Sequence, residues 1–455
     1  MLRLKATGPS WCALRLLRPR LQHSAAASLL PPDLVDSLLK KYGVTGSSVA
    51  VIAPSKHNQD GTVRTQVAGY ADRAGNIPMF DGTHLEIASL SKPLAAAFAY
   101  DYFAKHGISM EAKVNPLLAE AGSTFRLTAA SGFPAEWAEE ATLTHMLNHT
   151  GVGMHYVNGV PLTQPFPPVL HLISGTPEKP APHGYASLQM VKQPGTAFHY
   201  SGGGFLVMQH LLEQREGIPI ADIMAPWLEG HGTNVSLDLS FAADLPGKHY
   251  ANGYRDDGTL VESGRLSFPP LAAGALGTPA ALAEWLKQLA LAYKRPDGCG
   301  SISHAAARAL LSPGPDLGSE AFMRARMGVG MFVFEVASSN PSAGPNKWML
   351  HQAANDGFRG LLLVCFDGPD AADGPRGCVV LCNGDNQGML LNAAITRELL
   401  ASGAAFDPPL QGLDWSKVPF ACSASCAVRL LTDRSQHIAR ARARLLLTLL
   451  SVCVP

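Results

Sequence analysis

The sequence predicts an α+β fold, an α/β sandwich in which one antiparallel sheet, flanked by helices, is built from strands near both ends of the chain. Two observations favour this class. Strand-like segments concentrate before residue 90 and after residue 328, whereas the region between them is filled with helical pieces and loops rich in proline and glycine. We therefore predict a domain over 33–411, whose α/β part comprises 33–110 and 272–411 and whose mainly helical insertion comprises 111–271.

The N-terminal part of the α/β region begins with a helix and a hairpin. DLVDSLLKKYG, at 33–43, has the pattern of a short amphipathic helix. SSVAVIAP and GTVRTQVAGYAD then have the pattern of two strands, which are joined through the polar turn SKHNQDG. The segment that follows THLEIASLSK is apolar on every side, which predicts a buried helix over 93–106.

The C-terminal part returns to strands after one clear helix. GTPAALAEWLKQLALAYK, at 277–294, predicts a helix with Thr278 as its N-cap and Pro279 at its first position. Four strands and a closing helix over 388–402 follow; the strands are GVGMFVFEV, NKWMLHQAAN, RGLLLVCF and GCVVLCNG. Because strands stand at both ends of the domain, we expect one sheet assembled from both.

Composition excludes some classes of function. The chain has 455 residues, 47% hydrophobic and 16% charged, which is enough to bury a large core. Lys plus Arg and Asp plus Glu number 36 each, so no overall positive field attracts nucleic acid. We expect no nucleic-acid partner, and the sequence makes no prediction about oligomeric state.

The first 32 residues are basic and contain no Asp or Glu. This composition predicts an organelle transit peptide, and a disordered basic tail is the alternative. The positive charges are carried by Arg3, Lys5, Arg15, Arg18 and Arg20.

The last segment, 412–455, does not continue the pattern of the domain. Its apolar end is too short for a membrane-spanning helix, which needs about 20 residues, so no transmembrane segment is expected. Two interpretations of this segment stay open: an interfacial helix or an unstructured tail. Cys422 and Cys426 form a lone C-x3-C without a second pair, which is weak as a metal site, and the eight scattered cysteines favour free thiols. We predict no metal and no cofactor.

Ser89 and Lys92 stand three residues apart at the start of the apolar helix, a spacing that stacks both side chains on one face. A lysine amine beside a serine hydroxyl can take its proton and make the serine a nucleophile. Bringing the lysine pKa from about 10.4 to about 7 costs about 4 to 5 kcal/mol, which requires a site shielded from water. The apolar helix would supply that burial.

Two simpler interpretations compete with this one. Ser89 could be only an N-cap and Lys92 only a surface lysine with a buried stem. The same S-x-x-K spacing occurs at Ser37 and Lys40 within a plain amphipathic helix, where we interpret it as a chance occurrence. The context of the rest of the chain has to separate the two motifs.

Five segments occur in the order of one known family. SLSK follows a hairpin and precedes a buried helix, and LTHMLNHTGVG, PGTAFHYSGGGFLVMQHLLEQREG, LAAGALGTPAALAEW and HQAANDGFRGLLLVC follow in turn. Over roughly 33–403 the chain thus resembles the serine beta-lactamase and penicillin-binding family, particularly its class C and D-alanyl-D-alanine carboxypeptidase branch. The resemblance implies a beta-lactamase/transpeptidase-like fold. It includes mitochondrial lactamase-like proteins, so a mitochondrial location is expected, with chloroplast or cytoplasm as alternatives.

The resemblance also implies roles for individual residues. Ser89 would be the acylated nucleophile, Lys92 its proton partner and Tyr200 the general base, although a core tyrosine is the simpler interpretation of Tyr200 alone. The backbone amides of Ser89 and Ala354 would form the oxyanion hole.

Substrate contacts are implied at His351, Gln352, Ala353 and Gly202, and three of these depart from the family pattern. Gly202 stands where asparagine is usual, Ala353 stands where glycine is usual, and His351 replaces a lysine found in beta-lactamases. A neutral imidazole attracts a carboxylate less than an ammonium group does. An esterase or amidase is therefore expected rather than antibiotic hydrolysis.

Two hypotheses of different class remain. The first is a serine hydrolase that acts through an acyl-enzyme on a small ester, amide or peptide-like substrate. The second is a catalytically silent scaffold that binds or self-assembles. Retention of Ser89, Lys92 and Tyr200 favours the hydrolase.

Overall fold

The computed structural model describes residues 28–55, 58–153, 158–175, 188–230, 239–241, 247–338 and 341–410. Nearly all of the predicted transit segment and the whole predicted tail, including Cys422 and Cys426, lie outside these ranges. The helices are α1 (Pro32–Tyr42), α2 (Ser91–Lys105), α3 (Val114–Glu120), α4 (Glu136–Glu140), α5 (Leu143–Leu147), α6 (Val169–Ile173), α7 (Gly203–Glu216), α8 (Ile220–Glu229), α9 (Pro279–Lys294), α10 (His304–Leu311), α11 (Ser319–Met323) and α12 (Asn386–Ala401).

The strands are numbered in the same way. They are β1 (Gly46–Ser55), β2 (Asn58–Asp72), β3 (Ile77–Pro78), β4 (Thr83–Glu86), β5 (Val160–Pro161), β6 (Leu239–Ser240), β7 (His249–Tyr250), β8 (Leu266–Ser267), β9 (Leu276–Gly277), β10 (Arg326–Met327), β11 (Phe332–Ala337), β12 (Pro345–Asn355), β13 (Phe358–Asp367) and β14 (Arg376–Cys382).

One antiparallel sheet organises the molecule, in the order β10-β11-β12-β13-β14-β1-β2-β3. Strand β1 pairs with β14, so Val49 lies opposite Val380 and the two ends of the domain meet in the middle of the sheet. This pairing confirms the predicted α+β fold. Strands β13 and β14 are buried almost throughout, as their near-continuous apolar sequences require.

Helices cover both faces of the sheet. Helix α9 packs on one face against β1, β2 and β14, and α1 and α12 pack against each other on the opposite face. The N-cap predicted for α9 is present, since Thr278 Oγ1 accepts from the Ala281 amide at 3.2 Å. No helix among the described residues is long and apolar enough to cross a membrane.

The described middle of the chain contains helices α3 to α8, four of which have only five to seven residues, and strands of two residues. Strand β4 does not join the large sheet; it lies in a small sheet of order β6-β9-β4-β7. Strand β4 therefore links the large sheet to the helical region. Its end leads directly into the segment that carries Ser89.

Candidate active site

Ser89 lies in a tight turn between β4 and α2. The turn, Ala88–Leu90, is a 3-10 helix, and α2 begins at Ser91, so Ser89 precedes the helix in whose first turn it was expected. Ala88 has φ +46°, a left-handed conformation that a residue with a Cβ rarely adopts. Such strain concentrates at functional sites, and here it presents the half-buried Ser89 side chain at the end of β4.

Lys92 is held inside the protein, 3% exposed, because α2 is buried on nearly every face as predicted. Its Nζ lies 3.0 Å from Ser89 Oγ and donates to the Ala272 carbonyl at 2.6 Å. Burial away from water lowers the pKa of Lys92 to about 7. A substantial fraction of Lys92 is thus neutral near pH 7, in contact with the serine.

Two aromatic rings border the lysine. Lys92 Nζ lies 5.0 Å from the centroid of the Tyr200 ring and 5.7 Å from that of Phe205. The ring faces and the Ala272 carbonyl stabilise the ammonium form of Lys92, which would raise its pKa. Removal from water destabilises the ammonium form and has the larger effect, so the pKa is lowered. The site therefore brings together the three residues predicted to be catalytic, Ser89, Lys92 and Tyr200.

His149, which was not among the predicted site residues, fixes the segment that carries Tyr200. Its carbonyl accepts from the His199 amide at 2.7 Å, and its Nδ1 accepts from the Ser201 amide at 3.1 Å. The His149 and Tyr200 rings lie 4.5 Å apart between centroids. The HTG triplet in the second matching segment was the signal that could have identified this residue.

The backbone contacts of His149 and His351 assign opposite tautomers. His149 Nδ1 accepts from an amide and must be unprotonated, whereas His351 Nδ1 faces the Gln352 carbonyl at 2.8 Å and must carry the proton. Burial and the nearby Lys92 charge hold the pKa of His149 well below its usual range and that of His351 at about 3. Both rings are thus neutral, and neither attracts a carboxylate by charge.

The predicted substrate strand, β12, passes beside the Ser89 turn. His351 is 1% exposed, Gln352 is half-buried and Ala354 is exposed opposite Arg359 of β13. The Ala353 methyl is buried and lies across from Gly360, where an added Cβ would stand 2.9 Å from it. Because Gly360 has no side chain, there is room for the methyl group of Ala353, the residue that stands where the family usually has glycine.

Gly202 is buried and forms the N-cap of α7. Gly202 carries no side chain that could bind Lys92, whose observed neighbours are the Ala272 carbonyl and the two rings. Ala272 lies in a π-helical turn, Pro270–Gly274, which we call the π turn. Its role as the acceptor of Lys92 was not predicted, although the matching glycine-rich segment marked its position.

Glu86 is another buried residue near the site that was not predicted from the sequence. Its Oε1 accepts from the Leu266 amide at 3.1 Å and its Oε2 from the Asn355 side chain at 2.7 Å. Burial raises the pKa of Glu86 to about 8. A single acidic residue among the apolar residues of LEIASL was the signal in the sequence.

The chemistry open to this arrangement is proton transfer and nucleophilic attack by side chains. A neutral lysine can accept the proton of a serine hydroxyl at 3.0 Å. Within the described part of the chain, no group of three or more His, Cys, Asp or Glu residues could hold a metal ion.

Comparison with known proteins gives one family and a consistent group of folds. The family model described as Beta-lactamase matches residues 32–402. A search of curated protein sequences finds no match.

Solved structures with the same fold include an octameric penicillin-binding protein homologue from Pyrococcus abyssi, with 18% identity, 81% of this chain and 76% of that chain covered, and a TM-score of 0.56. D-alanine carboxypeptidase AmpC from Burkholderia cenocepacia is 17% identical over 80% of this chain and 96% of its own, with a TM-score of 0.56. D-amino acid amidase from Ochrobactrum anthropi SV3 is 17% identical over 81% and 96%, with a TM-score of 0.52.

Proposed function

Since this chain belongs to the beta-lactamase family, we propose that it is a serine hydrolase of the esterase or amidase type that forms a covalent acyl-enzyme on Ser89. The observation that carries the proposal is the 3.0 Å contact between Ser89 Oγ and a buried lysine whose pKa lies near 7. Burial of this lysine destabilises the folded state, so a purely structural role does not explain why a lysine stands here.

In the proposed reaction, neutral Lys92 accepts the Ser89 proton while Oγ attacks the carbonyl carbon of the substrate. The amides of Ser89 and Ala354 would stabilise the resulting oxyanion. The carbon–heteroatom bond then breaks as the Tyr200 phenol donates its proton to the leaving alcohol or amine and becomes a phenolate. Water attacks the ester on Ser89 while the Tyr200 phenolate takes its proton. The Lys92 ammonium returns the original proton to Ser89 Oγ, which releases the acid and the free serine.

The proposed substrates are small esters, amides or peptide-like molecules. The amidase and the carboxypeptidase among the structural neighbours are named for amide and peptide bonds. Because His351 is neutral and buried, we propose a substrate without a carboxylate beside the scissile bond, in preference to a beta-lactam antibiotic. The basic composition of residues 1–32 supports a mitochondrial location as part of the proposal.

Intact-mass spectrometry with a fluorophosphonate probe tests the nucleophile. We expect one probe adduct on the wild-type protein and none on Ser89→Ala, because only an activated serine reacts. The matched control is Ser37→Ala, which removes the exposed serine of the second S-x-x-K and should leave the adduct unchanged. A folded wild-type protein that gains no mass from the probe or from a panel of activated esters would instead favour the scaffold hypothesis.

The pH dependence of probe labelling tests the proton acceptor. The pKa of Lys92 lies near 7, so its neutral fraction falls about tenfold for each pH unit below that value. The rate constant of labelling should therefore fall tenfold per unit below pH 7 and level off above it. A rate constant that is constant from pH 5 to 9 in a folded protein would contradict proton transfer to Lys92.

A further inference from the structure

The π turn places the Ala272 carbonyl against Lys92, and it is packed on one side only, since Leu271 is buried in the core whereas the ends of the turn face a cavity. Its first and last residues, Pro270 and Gly274, line a cavity of about 100 Å³ whose walls also include the rings of Phe166 and Phe268. A π-helical turn is rare and has no regular helix around it to fix its carbonyls. The amides of Ala272 and Ala273 close the turn by donating to the Pro269 carbonyl at 3.1 Å and 2.9 Å, and a side-chain hydrogen bond from β12 adds a further constraint on where the Ala272 oxygen lies.

Asn355, at the end of β12, supplies such a bond. One hydrogen of its side-chain amide goes to the Ala273 carbonyl at 3.0 Å, and the other goes to Glu86 Oε2 at 2.7 Å. Ala273 is the residue next to Ala272. The amide thus ties the π turn to β4, which carries Glu86 three residues before Ser89.

Glu86 fixes the orientation of that amide. Both oxygens of Glu86 accept hydrogen bonds, one from Asn355 and one from the Leu266 amide, and both side chains are buried, Glu86 at 3% exposure and Asn355 at 3%. Burial raises the pKa of Glu86 to about 8 against the lowering effect of the Arg265 charge, so near pH 7 the pair carries only part of the negative charge that would stabilise the Lys92 ammonium. The pair is thus compatible with a lysine that must be neutral.

We propose that Glu86 and Asn355 are positioning residues, which hold the Ala272 carbonyl where it directs the lone pair of the Lys92 amine toward Ser89. This inference rests on the proposed function. A neutral amine has two hydrogens and one lone pair, so a hydrogen bond to Ala272 at 2.6 Å limits where the lone pair can point. Misplacement of a reacting group by about 1 Å can lower a rate about 100-fold.

The test compares Asn355→Ala with a matched buried asparagine far from the turn in sequence. Asn115 also donates to a backbone carbonyl, that of Leu127 at 3.1 Å, and to a carboxylate, that of Glu139 at 2.8 Å. We expect Asn355→Ala to lower the plateau rate constant of probe labelling at least tenfold and to move the midpoint of the pH profile to lower pH. The midpoint falls because the ammonium loses an acceptor. Asn115→Ala should change neither quantity.

A conservative change at Glu86 separates positioning from general loss of structure. Glu86→Gln keeps one oxygen that can accept from Asn355 but places an NH2 group against the Leu266 amide, so its plateau rate constant should fall less than that of Glu86→Ala. Glu86→Ala removes the acceptor and should behave like Asn355→Ala. If Asn355→Ala keeps the wild-type plateau and midpoint, or shifts only its melting temperature as Asn115→Ala does, the proposal is wrong.

A crystal structure of Asn355→Ala judges the inference even if the wild-type protein does not react. Failure of the wild type to react would overturn the proposed function. Lengthening of the Lys92 Nζ to Ala272 O distance beyond hydrogen-bonding range would still support the positioning role. A distance unchanged from 2.6 Å would overturn it.

Discussion

Lys92→Met is expected to lower the rate constant of Ser89 acylation by about 1,000-fold at pH 8 while leaving the protein folded. The methionine fills a similar volume but has no lone pair that can accept the serine proton, and general-base catalysis contributes about 100-fold to 10,000-fold. The measurement is the rate of probe labelling at saturating probe, followed by intact mass. Lys40→Met, in the exposed S-x-x-K, is the matched control and should react at the wild-type rate.

The same variant should be no less stable than the wild type. Lys92 has its pKa lowered from 10.5 to about 7, so between these values the unfolded chain binds a proton that the folded protein does not. Stability therefore rises with pH across this window, and below pH 7 the burial of Lys92 costs about 4 to 5 kcal/mol. Methionine removes this penalty, although the Ala272 carbonyl loses its donor at a cost of about 1 to 3 kcal/mol.

Lys92→Arg completes the comparison, because a guanidinium remains charged at every accessible pH. We expect it to be both inactive and less stable than the wild type. An active Lys92→Met protein would contradict the assignment of Lys92 as proton acceptor. Loss of activity in Lys92→Met accompanied by unfolding would mean that the buried lysine stabilises the folded protein instead of destabilising it.

The strands and the start of α9 could be predicted because their signals are local in the sequence. Alternating and continuous apolar segments identified β1, β2 and β11 to β14, and the N-cap Thr278 marked the beginning of α9. The sequence predicted one sheet assembled from both ends of the domain, but not the strand order, which the pairing of β1 with β14 determines. The segment boundaries differ from the prediction by a few residues, because helix ends depend on caps and turns.

The parts of the site that could not be predicted depend on contacts between residues far apart in the chain. Ala272 binds Lys92 through a backbone carbonyl, which leaves no signature in residue type. Glu86 meets Asn355 across 269 positions, and His149 meets Ser201 across 52. The conformation of Ala88, at φ +46°, likewise follows from packing around the turn and not from its residue type.

Gly204→Ala is expected to destabilise the protein by about 3 kcal/mol or more, measured as the free energy of unfolding in denaturant. An added Cβ at Gly204 would stand 2.1 Å from the Met146 carbonyl oxygen, a backbone atom at the end of α5 that cannot move aside alone. Overpacking of this kind typically costs about 1 to 3 kcal/mol, and occasionally more. The glycines of SGGGF favour close helix packing, and Gly204 permits it here between α5 and α7.

The sign of the change in unfolding free energy distinguishes the two effects: overpacking makes Gly204→Ala less stable, whereas helix propensity alone would make it more stable. Gly204 lies in α7, and on an open helix face alanine is favoured over glycine by about 1 kcal/mol. Gly314→Ala is the control, because no atom lies within 4 Å of its added Cβ, and it should change stability by less than about 0.5 kcal/mol. A Gly204→Ala protein as stable as the wild type would mean that α5 and α7 are further apart than the 2.1 Å approach to the Met146 carbonyl oxygen implies. Since α7 also carries Phe205, displacement of this helix should slow Ser89 labelling as well, because Phe205 borders Lys92.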